Sequence, residues 1–310
     1  MPLNEADTRA RLIDPQLEAA GWAAGQIGRE HFYRRDVQYT DGRIVLRGER
    51  PHRRAARKID YVLRYTEGFP IAVVEAKAEA EAPEAGLEQA KTYAVDLAVP
   101  FAYAANGHRI LGYDRFTRQS RELAAFPPPD ELWQRWVTNT GLSEPGDAPQ
   151  LREARVLYAP DAAAERRRNP LLHPFCPESA TGKTPRYFQE AAVHAVIQRA
   201  MRGQRRILLT LATGTGKTFI AFQVAWKLIR SGWLKRRHPD RPARILFLAD
   251  RVVLRDQAYK TFAPFATEGS DPRSLIEGGT PNLHRDLYFG IYQTLWLEGE
   301  DGRRFPRRCT

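Results

Sequence analysis

The sequence predicts an α/β protein built in two parts, and three observations carry that reading. A phosphate-loop pattern, Ala212-Thr-Gly-Thr-Gly-Lys-Thr218, follows an apolar run and precedes a helical one. Upstream, apolar runs at 59–65 and 71–77 flank Thr66-Glu-Gly-Phe-Pro70, the pattern of a strand pair. From Tyr187 onward helical and apolar segments alternate, a succession that builds a parallel sheet.

The first part begins with a helix. Over residues 5–20, Leu12, Ile13, Leu17 and Ala20 recur at near-helical spacing, and Gly21 supplies the stop. The strand pair comes after a basic stretch at 47–58. Residues 83–97 are again helical, with Leu87, Ala90, Ala94 and Leu97 on one side. Strands at 99–105 and 109–113 flank Asn106-Gly107, which favours the positive backbone angles of a tight hairpin. Helix, two strands, helix, two strands make a small α/β domain over residues 1–126.

After Pro127-Pro-Pro129 the pattern loosens. Trp133 and Trp136 suit a short helix, whereas 141–149 and 159–185 are rich in Pro, Gly, Ala and charge, so 127–185 reads as a connector. The second part, 186–310, holds a helix at 188–202, a strand at 206–211, the phosphate loop, a helix at 219–231 and a strand at 245–249. Arg166-Arg-Arg168 and Lys235-Arg-Arg237 read as solvated segments.

Composition narrows the function classes. The chain has 310 residues, length for about two domains, and its net charge of +11 suits a polyanionic partner, although charge alone does not identify one. Cys176 and Cys309 are far apart and lack ligand-spaced partners, which argues against a disulfide framework or a zinc site. The polar N-terminus lacks the apolar core of a signal peptide and no membrane span is visible, so a cytoplasmic protein is expected.

In the loop, small residues let backbone amides of Thr213, Gly214, Thr215 and Gly216 close around phosphate oxygens. Lys217 reaches the β and γ phosphates, Thr218 supplies a hydroxyl to Mg²⁺, and the following helix aims its positive end at the anion. A strict phosphate loop has glycine five residues before Gly216, where Leu211 stands; the Ala-x-x-Gly-x-Gly-Lys-Thr form of nucleic-acid helicases fits better. A second Gly-Lys-Thr, at 182–184, has no strand before it and Pro185 after it, and reads as linker.

Strand alternation puts Glu75 and Lys77 on the same side, and Asp60 on the preceding strand lies across the hairpin from them. Two carboxylates can hold Mg²⁺, and the lysine can orient a water and offset charge at a phosphorus centre. Glu-x-Lys on an exposed strand is also ordinary surface decoration. Gln89 and Tyr93 lie one turn apart on the next helix, facing the same way.

Asp60, Glu75-Ala-Lys77 and Gln89-x-x-x-Tyr93 resemble the PD-(D/E)xK nuclease core with its Gln-x-x-x-Tyr extension, as in the R subunits of type I restriction-modification enzymes. Ile59 stands where the motif's name has proline. The openings Asn4-Glu-Ala-Asp-Thr-Arg9 and Ile13-Asp-Pro-Gln-Leu-Glu-Ala-Ala-Gly-Trp22 are similar too, which brings in Glu5 as a candidate further metal ligand. Arg186-Tyr-Phe-Gln189 resembles the adenine-reading Q motif of superfamily 2 helicases, with Tyr187 or Phe188 either stacking or in the core. Phe247-Leu-Ala-Asp-Arg-Val-Val-Leu-Arg-Asp-Gln257 and Gly290-Ile-Tyr-Gln-Thr294 resemble further motor motifs, the latter one that touches the DNA backbone.

The resemblance implies Mg²⁺-dependent cleavage of double-stranded DNA, ATP-driven translocation, and partners in methyltransferase (M) and specificity (S) subunits. It also implies a RecA-like motor with a Walker B strand and a second motor domain; the sequence after Leu295 matches neither, so a truncated R subunit with an incomplete RecA-like domain is expected. Two other readings stay open. One is a type III-like defence helicase-nuclease, in which the nuclease normally follows the motor; the other is a catalytically silent DNA-binding or assembly fragment.

Overall fold

The computed structural model describes residues 1–33, 38–40, 43–45, 57–142, 166–237, 239–240, 242–277, 284–298 and 304–306. Cys309, the stretch 46–56 and residues 143–165 of the expected connector lie outside the described residues. The chain forms two compact units, one of Met1–Arg166 with Pro185–Thr215 and the other of Arg167–Thr184 with Gly216–Thr310.

The first unit opens with α1 (Glu5–Thr8), a π turn (Arg9–Ile13) and α2 (Asp14–Ala19) in unbroken succession. The Asn4 side chain accepts the Asp7 amide at 2.8 Å and satisfies one of the helix's free donors. Ile13 and Leu17, expected on the apolar face, are fully buried.

Strands β1 (Ile27–Tyr33), β2 (Gln38–Thr40), β3 (Arg43–Val45), β4 (Arg57–Thr66) and β5 (Phe69–Ala76) come next. Helix α3 (Glu84–Asp96) crosses over to β6 (Phe101–Ala105), which is followed by β7 (Ile110–Asp114) and β8 (Gln119–Leu123). The main sheet runs β1-β4-β5-β6-β7-β8, and β2 pairs separately with β3. Only β5 and β6 are parallel, because only they are joined by a helix; the remaining neighbours are antiparallel. Ile59, Val62 and Val73 of the sheet bury against Ala90, Ala94 and Leu97 of α3.

The strands expected within residues 1–126, the α3 helix and the hairpin at Asn106-Gly107 are all present. Gly107 has φ +88°, and a Cβ there would stand 2.5 Å from Leu12 Cδ1, so both backbone and space demand glycine. Strands β1 and β8, and the short β2–β3 pair, were not anticipated. The interior of β1 is polar (Arg29, Glu30, His31), and four of the five residues of β8 are exposed, so neither shows the apolar alternation by which a strand is read.

The two tryptophans lie on α4 (Pro129–Thr140), where Trp133 stacks on Tyr65 and Trp136 at 4.9 and 5.0 Å between ring centres. Helix α5 (Tyr187–Met201) belongs to this unit too, and Tyr187 meets Tyr33 edge to face at 5.2 Å.

The second unit carries α6 (Lys217–Arg230), α7 (Trp233–Arg237), β9 (Ile245–Ala249), α8 (Val252–Thr261), β10 (Arg273–Leu275) and β11 (Leu287–Ile291), then a hairpin of β12 (Trp296–Glu298) and β13 (Arg304–Pro306). A parallel sheet forms in the order β10-β11-β9, in which the expected strand at 245–249 pairs with β11, a strand not anticipated, rather than with 206–211. Phe222, Phe262, Phe265 and Phe289 make its aromatic core. Lys227 of α6 is fully buried, with Nζ 3.0 Å from Leu171 O and 4.0 Å from the centre of the Phe175 ring.

One expected strand is absent. Residues 206–211 pair with no described strand, and Leu208 is 88% exposed. Apolar composition marks a segment suited to a sheet interior, but strand structure also needs a neighbour to take its backbone groups, and none of the described strands does so.

Candidate active site

Asp60 lies on β4 and Glu75 on β5, and Lys77 follows the last residue of β5. Backbone pairing of β4 with β5 ends at Tyr61 and Val74. Beyond that point the Asp60 side chain takes over, accepting the Ala76 amide on Oδ2 at 2.8 Å. Asp60 is thereby held beside Glu75, and both are buried.

The Lys77 ammonium lies 3.1 Å from Glu75 Oε1 and 3.3 Å from Gln89 Oε1. Gln89 Nε2 in turn donates to the Tyr93 hydroxyl at 2.7 Å. The structure therefore brings all five residues, Asp60, Glu75, Lys77, Gln89 and Tyr93, into one constellation. Glu75 Oε2 is buried with no hydrogen-bond partner.

Electrostatics follow from that crowding. Burial, then the Asp60 charge, pushes the Glu75 carboxyl up to about 7 against the pull of Lys77. Burial lowers the Lys77 ammonium, but its hydrogen bond and charge interaction with Glu75, with Glu5 and Asp60 behind them, raise it on balance. Glu5 acts on the site through its field; among the described residues no group of three or more His, Cys, Asp or Glu side chains is placed to hold a metal ion.

Sequence reasoning missed two supports. Gly86 on α3 gives the Lys77 stem its room, since a Cβ there would stand 3.0 Å from Lys77 Cε and 3.2 Å from Ala104 Cβ. Arg9 places Nη1 3.3 Å from Asp60 Oδ1 and Nη2 3.2 Å from Glu30 Oε1. The signal for Gly86 was a glycine inside a helical pattern; that for Arg9 was only its place in the opening Asn4-Glu-Ala-Asp-Thr-Arg9.

The phosphate-loop residues are divided between the units. In the first, Thr213 and Gly214 are exposed, and Thr215 is buried with its hydroxyl on Ala212 O at 2.7 Å. Gln189 is buried, accepts the Arg186 amide at 2.9 Å and donates to Thr215 O at 2.8 Å, so its amide ties the start of α5 to the loop. In the second, Gly216 (φ +85°) precedes α6, whose first residues are Lys217 and Thr218. Lys183 of the other Gly-Lys-Thr follows Gly182, the cap of a one-turn helix (Glu178–Thr181), and is exposed.

Residues 182–303 match the family described as the res subunit of type III restriction enzymes. Across 98% of its length the chain is 33% identical to the type I restriction enzyme EcoAI endonuclease subunit of Escherichia coli. The chain is homologous to type I restriction enzyme endonuclease subunits. The EcoKI endonuclease subunit of E. coli K12 is a second relative of this type I homologue, 41% identical over 103 residues, 33% of the chain and 8% of the EcoKI subunit. A fragment structure assigned as the HsdR subunit of a type I restriction enzyme from Vibrio vulnificus YJ016 superposes on 95% of it, with TM-score 0.71 and 36% identity. This HsdR homologue spans 34% of the EcoAI subunit's length and 48% of the Vibrio chain.

Proposed function

We propose that the chain carries the DNA-cleaving site and the ATP-binding loop of a type I restriction endonuclease subunit. The observation that carries this reading is the Asp60–Glu75–Lys77–Gln89–Tyr93 constellation, buried at the carboxylates and linked through Lys77 and Gln89. A PD-(D/E)xK-type nuclease unit needs these groups at one point. Homology along nearly the whole chain supports the type I assignment over a type III-like one.

Asp60 and Glu75 would hold Mg²⁺. The fit rests on Glu75 Oε2, a buried acceptor without a donor beside a second carboxylate, which is an arrangement that a hard cation satisfies. Such an ion supplies a polarised water and stabilises charge developing on phosphate oxygens. Lys77 holds positive charge beside Glu75 where it can orient that water. Gln89 fixes the Lys77 ammonium, and Tyr93 fixes Gln89 through its hydroxyl.

Thr213, Gly214, Thr215, Gly216, Lys217 and Thr218 are proposed to cradle ATP with its Mg²⁺, with Arg186 and Gln189 at the adenine. The start of α6 at Lys217 supports this, because a helix N-terminus preceded by small residues presents free amides to an anion. Double-stranded DNA and the M and S subunits are the proposed partners, and +11 net charge suits the DNA. No helix among the described residues is long and apolar enough to cross a membrane, and the cytoplasm is the proposed location.

The reading is tested on the chain itself by Mn²⁺ titration followed through thermal unfolding. A saturable rise in Tm that Asp60→Asn and Glu75→Gln each remove supports it; no rise in the wild-type protein contradicts it.

A further inference from the structure

Two backbone irregularities converge on one guanidinium beside the carboxylates. Arg9 is the first residue of the π turn that interrupts the N-terminal helix, and single π turns are often found at functional sites. Glu30 has φ +51°, a left-handed conformation that a residue other than glycine adopts at a cost. In the β1–β4 ladder Arg29 faces Tyr61 and His31 faces Ile59, which leaves Glu30 at the level of Asp60. Arg9 bridges the two acids, reaching Asp60 Oδ1 at 3.3 Å and Glu30 Oε1 at 3.2 Å, and Lys58 reaches the same Glu30 oxygen at 2.7 Å.

The distribution of exposure separates the partners. The Arg9 side chain is 15% exposed and that of Asp60 6%, whereas that of Glu30 is 50% exposed. The short stretch of buried charge is therefore Arg9–Asp60, with Glu30 as its outer anchor. Arg9 Nε is itself buried without a partner, so the guanidinium is held at a cost in desolvation.

We propose that Arg9 is the resident counter-ion of the nuclease site, neutralising Asp60 and competing electrostatically with the divalent cation. The inference rests on the metal-site reading given above. Ala76 takes Oδ2 and Arg9 takes Oδ1, so a cation approaching Asp60 meets an oxygen already engaged by a positive charge. The positive charge of Arg9 also opposes a second cation entering nearby, and its removal strengthens divalent binding. A side chain serving only to pack the N-terminal helix has the opposite signature: its loss loosens the fold without tightening the site.

The test is the Mn²⁺ midpoint of the whole chain, read by thermal shift at low ionic strength. Arg9→Met is expected to lower the midpoint about fivefold or more, and Arg9→Lys, which keeps the charge, to leave it near the wild-type value. Glu30→Gln, at an exposed carboxylate that the fold tolerates losing, is expected to shift it the other way, to higher Mn²⁺. An unchanged or weaker midpoint in Arg9→Met, or in its place an unchanged midpoint in Glu30→Gln if Arg9→Met does not fold, overturns the assignment of Arg9. Wild-type protein with no Glu75-dependent Mn²⁺ response overturns the metal-site reading and the Arg9 assignment with it, and Glu75→Gln tells the two failures apart.

Discussion

The backbone amide of Ala76 donates to Asp60 Oδ2 at 2.8 Å, so the residue between Glu75 and Lys77 holds the third charged residue of the site in place. The bond stands where the β4–β5 ladder has ended, and a carboxylate does there what a strand carbonyl would otherwise do. Asp60→Asn retains an acceptor for that amide, whereas Asp60→Ala leaves it buried and unpaired. Asp60→Ala is expected to destabilise the fold by about 1–3 kcal/mol and Asp60→Asn by less, measured by chemical denaturation. Equal losses would mean that the carbonyl side of the asparagine fails to replace the carboxylate.

Glu75 illustrates a site that costs stability. Its folded-state value near 7 stands above the ordinary 4.5, so folding favours the protonated acid. The unfavourable contribution is absent below about pH 4.5, develops as pH rises toward 7, and is complete above it. In chelator, Glu75→Gln should be more stable than wild type at pH 8, by on the order of 3 kcal/mol, and nearly equal to it at pH 4. A wild-type protein as stable as the variant at pH 8 would show that Lys77 neutralises Glu75 fully.

Gly86 should matter to chemistry as well as to packing, since a side chain there meets both Lys77 and Ala104. A leucine there displaces the Lys77 stem, which a Cβ alone would approach to 3.0 Å. Gly86→Leu is expected to reduce DNA cleavage by the assembled enzyme at least tenfold, in the range expected when a catalytic group is misplaced. ATP turnover should stay within about twofold of wild type, the change expected of a substitution away from the nucleotide. Full cleavage in Gly86→Leu would show that Lys77 finds its position without that gap.

The two Gly-Lys-Thr segments predict opposite outcomes. Lys217 opens the 14-residue α6, whereas Lys183 follows a helix of 4 residues. Lys217→Ala should weaken binding of a fluorescent ATP analogue by at least tenfold, the loss of a charge-assisted phosphate contact, while Lys183→Ala leaves it unchanged. Matching losses in the two variants would mean that 182–184 also touches nucleotide.

Much of the site was legible because strand and helix periods fix which side chains face together. Alternation placed Glu75 and Lys77 together, and the helical turn placed Gln89 beneath Tyr93, as the hydrogen bonds bear out. Arg9 and Glu30 were not legible. Their convergence depends on a π turn and a left-handed residue, local departures that no periodic pattern encodes. The segment 206–211 failed for a related reason: its composition suits a buried strand, but a strand is a property of two segments, and sequence pattern describes one.

The central claim is that Asp60, Glu75 and Lys77 form a metal-dependent nuclease site separate from the nucleotide loop. Its most direct test is Mg²⁺-dependent cleavage of unmethylated DNA by a complex assembled from the full-length subunit with the proposed M and S partners, with ATP hydrolysis measured in the same reaction. Glu75→Ala should abolish cleavage while ATP hydrolysis continues at close to the wild-type rate. Retained cleavage in Glu75→Ala would contradict the assignment.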